Sequence, residues 1–73
     1  MTNRIEVGSL GDAFPEELER VKEALDAYRS IGSAGAFACS WIAPLVLAAE
    51  KATLDQDAVA MVRLYPELQK VSL

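Results

Sequence analysis

The sequence predicts an all-α protein: a small helical hairpin or three-helix arrangement, with helices at about 15–31, 33–52 and 55–64 and the second bent at Pro44. A flexible arm at 1–13 precedes them in one domain spanning 1–73. Three observations carry this reading. Phe14, Leu18, Val21, Leu25 and Tyr28 recur at spacings of 4, 3, 4 and 3, the stripe of a helix packed on one side. Residues 30–49 are uncharged at all twenty positions and rich in alanine, so a second helix would be apolar on nearly every side. Proline and glycine stand where helices start and stop.

In the arm, Gly8, Ser9 and Gly11 crowd together, and Ile5-Glu6-Val7 alternates as a short strand would. Helix one opens at Pro15, suited to a first helical position, and Glu16, Glu17 and Glu19 complement the positive helix N-terminus. Gly32 stands where a left-handed cap would end it.

On helix two, Ala34, Ala38, Trp41, Leu45, Ala48 or Ala49, and Ala52 trace one seam, while Phe37, Ser40, Pro44 and Leu47 trace another. One seam can pack on helix one and the other on a second subunit. Pro44 lacks an amide donor and crowds the turn before it, so a bend or split is expected, with the Ser40 hydroxyl helping a freed carbonyl. Thr53 followed by Gln56 has capping-box form and starts helix three. A continuous second and third helix is the alternative, because no glycine or proline lies between Pro44 and Pro66. Tyr65 precedes Pro66 and is biased out of the helical region, which ends the helix at Leu64, after which Pro66-Glu67-Leu68-Gln69-Lys70 can form one more turn.

The chain has 73 residues, within the range of roughly 70–80 below which one core rarely supplies more than ~3–5 kcal/mol. One cysteine and no histidine leave no internal disulfide and too few ligands for a zinc site. Self-association is the remaining conventional support, so a homodimer is expected. Its core and dimer seam are assigned to Leu18, Val21, Leu25, Tyr28, Phe37, Trp41, Leu45 and Met61.

The same counts bound the chemistry. Without histidine, and with Cys39 among neutral neighbours, the usual acid-base and nucleophile-base pairs are missing, so no catalytic residue and no cofactor is expected. The net charge of −4 argues against direct nucleic-acid binding. Asp55-Gln56-Asp57 opens like a calcium loop, but Ala60 and Pro66 occupy the positions that need glycine and glutamate, so no metal site is assigned. The N-terminal residues lack the order of a secretory signal, and the expected location is cytoplasmic.

Glu16, Glu19, Glu23 and Asp26, spaced 3, 4 and 3, form a carboxylate stripe beside the apolar one. The helix dipole and pairs such as Glu16 with Arg20 and Lys22 with Asp26 account for part of it. Glu23 and Asp26 exceed that need, which makes the stripe a candidate face for meeting a protein partner.

A small acidic chain with a flexible arm, a charged helix beginning Pro15-Glu16-Glu17-Leu18 and an alanine-rich apolar helix resembles the accessory proteins that bacterial viruses make to inhibit host regulators or defence complexes. The likeness lies in overall character and transfers no site residue. It implies a non-enzymatic inhibitor or modulator that acts by binding a larger protein, such as a transcription regulator, a motor ATPase or a defence complex. Two alternatives stay open. Residues 30–49 have the length of a single membrane span, although alanine, glycine, serine and proline make insertion marginal. The chain could also be an obligate assembly subunit whose apolar surface docks into a complex.

Overall fold

A computed structural model describes residues 7–72, with side-chain placement from Leu10 onward. It contains three helices, α1 (Val7–Ser30), α2 (Ala36–Leu54) and α3 (Ala58–Gln69), and a single 3-10 turn, Gly32–Gly35, joins the first two. Among the described residues there is no strand. Each helix contacts both of the others.

Helix α1 begins eight residues before Pro15, so the segment from Val7 to Ala13 is helical, which corrects its assignment to an arm. The remainder of the expected arm and most of the expected strand lie outside the described residues. Leu10 explains the longer helix: it continues the stripe one turn upstream of Phe14 and is buried with it. That burial outweighs the weak helix propensity of Gly11. Pro15 is therefore an interior proline, and the amide it lacks is the one that would have bonded the carbonyl of Gly11.

The turn from α1 to α2 depends on two glycines. Gly32 sits at φ +67°, where a side chain would be strained. Gly35 is buried, and a Cβ there would collide with the Tyr28 carbonyl.

Helix α2 runs unbroken through Pro44, so it is not split. The carbonyl that Pro44 leaves without its helical partner is Ser40's own, while the Ser40 hydroxyl donates to the Phe37 carbonyl at 2.6 Å. The expected service of that hydroxyl to a freed carbonyl is thus corrected. The buried face of α2 is Ile42, Val46, Ala49 and Ala52, a line that shares Ala49 and Ala52 with the first seam read from the sequence but replaces Trp41 and Leu45 with Ile42 and Val46.

Helix α2 ends in a Schellman motif. The Asp57 amide donates to the Ala52 carbonyl at 2.9 Å and the Gln56 amide to the Thr53 carbonyl at 3.1 Å, with Gln56 in the left-handed region at φ 52°. Asp57 then caps α3, its carboxylate accepting from the Ala60 amide at 3.1 Å. Thr53 does not form a capping box, because its hydroxyl donates back to the Ala49 carbonyl at 2.9 Å. Helix α3 accordingly starts at Ala58 rather than Asp55 and continues through Pro66 to Gln69. Leu68 is fully buried and supplies the reason: its place in the core holds the helix past the Tyr65-Pro66 step.

The core joins Leu10, Phe14, Leu18, Val21 and Leu25 of α1 to the buried line of α2 and to Leu68 and Val71 at the C-terminal end. Two side chains of α1 strap that end down. The Arg20 guanidinium donates to the carbonyls of Leu68 at 3.0 Å and Val71 at 2.8 Å, and the Tyr28 hydroxyl donates to the Ser72 carbonyl. The molecule measures 43 × 28 × 15 Å between Cα extremes. Its shortest dimension is that of two packed helices, so the fold has no third layer that would cover a helix on both sides.

Candidate functional face of helix two

The thin fold leaves α2 covered on one side only. Phe37 is 82% exposed and Trp41 42%, and Leu47 is 67% exposed. Ser40, Pro44 and Ala48 are exposed between them. With a residue every 100°, positions 37, 41, 44 and 48 fall on one stripe, flanked by Ser40 and Leu47. No charge interrupts this face before Lys51. Ile31 before the helix and Leu54 at its end are also exposed, at 56% and 84%, with Leu54 turned to the α1 flank beside Lys22 and Glu50.

Phe37 and Trp41, assigned to the core or dimer seam, both lie on the outward side, so neither belongs to the core of the protomer. Leu18, Val21 and Leu25 are buried, while Tyr28, Leu45 and Met61 pack half-buried at the core's margin. The sequence reading missed Ile42 and Val46 as the centre of the buried line. Spacing did not single them out, because Phe37, Trp41 and Leu45 recur at the same interval of 4.

Charged residues border the face on its α1 side. Lys22 of α1 bridges Glu19 at 3.3 Å and Glu50 of α2 at 3.3 Å. These carboxylates, Glu50 first, hold the Lys22 ammonium above its ordinary pKa of 10.5. Arg29 pairs with Asp26 at 3.7 Å. On the α3 side, an open groove is lined by Ala48, Lys51, Asp55, Val59 and Arg63. Lys51 pairs there with Asp55 at 2.9 Å, which raises its pKa as well. Val59 and Val62 add exposed apolar surface on α3.

Glu16, Glu19, Glu23 and Asp26 are all exposed on α1. Their pairings differ from the sequence expectation. Arg20 turns to Glu17 at 2.7 Å instead of Glu16, because its guanidinium is held towards the α3 end by the Leu68 and Val71 carbonyls. Lys22 likewise faces Glu19 and Glu50 rather than Asp26. Among the described residues no ion pair engages Glu16 or Glu23, so the stripe presents carboxylates to solvent.

The fold and this face define a small three-helix α protein with an unusually apolar outer helix. Compared with protein-family models, with curated proteins and with solved structures, the chain matches none.

Proposed function

We propose that this chain is a non-enzymatic helical protein-binding module, a cytoplasmic inhibitor or modulator of a larger protein such as a transcription regulator, a motor ATPase or a defence complex. The observation that carries the binding role is the outward face of α2, where Phe37, Trp41 and Leu47 stand exposed on an uncharged stretch. A contiguous apolar patch of this kind on a small protein marks a contact surface, and aromatic anchors dominate the energetics of such contacts. The regulatory role rests on the resemblance to viral accessory proteins.

The carboxylates of α1 supply the second element. Glu16, Glu19, Glu23 and Asp26 would steer a basic partner surface, acting on association rate and salt dependence more than on the final affinity.

The test is affinity capture from the native cell with three baits: the wild-type chain, a Phe37→Asp/Leu47→Asp variant and a Glu23→Gln/Asp26→Asn variant. Captured protein is then purified and its binding measured directly. The reading expects loss of binding with the first variant, and with the second a slower on-rate and a flatter salt dependence. Equal binding by wild type and the Phe37→Asp/Leu47→Asp variant would contradict it.

One observation favours a second reading. Gly32–Leu54 is long and apolar enough to cross a membrane, with mean hydropathy 1.5 and only 22% of its most apolar window buried. Against it, a spanning α2 would withdraw Ile42, Val46 and Ala49 from the core and carry Glu50 and Lys51 with it. Solubility without detergent at high concentration separates the two readings.

A further inference from the structure

We infer that the occupant of the α2 face is a second copy of this chain, docked antiparallel with its two-fold axis passing between Trp41 and Pro44. The inference rests on the protein-binding reading of that face and specifies it. A two-fold interface must be self-complementary, each residue facing one equally distant from the axis on the other copy. About an axis between Trp41 and Pro44, Trp41 faces Pro44 of the other copy and Phe37 faces Ala48. Leu47 pairs by register with the half-buried Ala38 and so lies at the margin of the contact. Phe37 against Ala48 and Trp41 against Pro44 also set a large side chain against a smaller one, as close helix packing requires.

Charge supports the same arrangement. Antiparallel docking opposes the two helix dipoles. Parallel docking would stack Lys51 on Lys51 and Phe37 on Phe37. Among the described residues Glu16 and Glu23 enter no ion pair, which leaves them for a larger partner.

Two measurements test this. Sedimentation equilibrium of the wild-type chain at micromolar concentrations should give about twice 7.9 kDa, and Phe37→Asp should reduce it to the monomer mass with its helical circular dichroism retained. In a Cys39→Ser background, Phe37→Cys combined with Ala48→Cys should yield a disulfide-linked dimer on mild oxidation. Phe37→Cys alone or Ala48→Cys alone should not, since antiparallel packing holds identical positions roughly 16 Å apart along the axis. A folded wild-type monomer at 100 μM would overturn the inference, as would a need for detergent. Single variants that cross-link as well as the double variant would overturn the antiparallel register. A wild-type monomer that still binds a captured protein through Phe37 and Leu47 would overturn the second copy and leave the protein-binding reading standing.

Discussion

Replacing Arg20 with alanine should loosen the C-terminal end of the fold from α1, and the structure sets the size of the effect. The guanidinium donates to two backbone carbonyls, those of Leu68 and Val71, and also holds Glu17 at 2.7 Å. A hydrogen bond from a charged donor contributes ~1.5–3 kcal/mol when well shielded. The Arg20 side chain is 43% exposed and water can replace it at both carbonyls, so the two bonds and the ion pair together should be worth about 1–2 kcal/mol. With a urea m-value of about 1 kcal/mol/M for so short a chain, the midpoint should fall by about 1–2 M. Hydrogen exchange should localise the loss to amides from Leu68 to Ser72. Arg20→Lys keeps the charge but lacks the planar fork that reaches both carbonyls and Glu17, so it should recover less than half of the shift. An Arg20→Ala protein with an unchanged midpoint and unchanged protection at the C-terminal end would refute the strap.

Ile42→Ala removes a side chain that is 1% exposed, and its cost of about 2–5 kcal/mol should leave the chain largely unfolded at 25 °C by circular dichroism. Asp57→Ala should cost about 1 kcal/mol through loss of the α3 cap, whereas Thr53→Val should leave the exchange protection of α3 unchanged; the reverse order would restore the capping box at Thr53. Gln56→Gly relieves the left-handed backbone at φ 52° and should raise the urea midpoint by a few tenths of a molar. The pKa of Lys22 is raised in the folded state, so its contribution is fully present below pH 10.5 and is lost as pH rises through the higher folded value. The NMR titration of its side chain should show a midpoint above 10.5, and Glu50→Gln should move that midpoint down.

The helical class was legible because period and composition agree over long stretches. The α1 stripe from Phe14 to Tyr28 needed nothing beyond its spacing, and Gly32 announced its left-handed turn. Prolines were less informative. Pro15, Pro44 and Pro66 all lie inside helices, and no local signal separates a first-turn proline from one that neighbouring burial holds in the interior. Leu10 and Leu68 provide that burial, and both depend on contacts between helices distant in sequence. The turn at 55–57 was hidden for a different reason: Gln56 takes the left-handed position usually given to glycine, and Asp57 both completes the Schellman motif and caps α3. On α2 every side is apolar, so pattern alone could not choose the buried line. The partners α1 and α3 chose Ile42, Val46 and Ala49, and left Phe37 and Trp41 outward. The carboxylates of α1 were legible as exposed, but their pairings were set by Glu50 and by the carbonyls of Leu68 and Val71.

The claim that the outward face of α2 contacts protein is tested most directly by photocross-linking in the native cell, with a benzophenone amino acid in place of Phe37 or Leu47 and a control at Gln69, an exposed position on α3. The account predicts protein adducts from positions 37 and 47, at twice the chain mass or larger, and none from the control. Adducts to lipid alone, or equal labelling from all three positions, would contradict it.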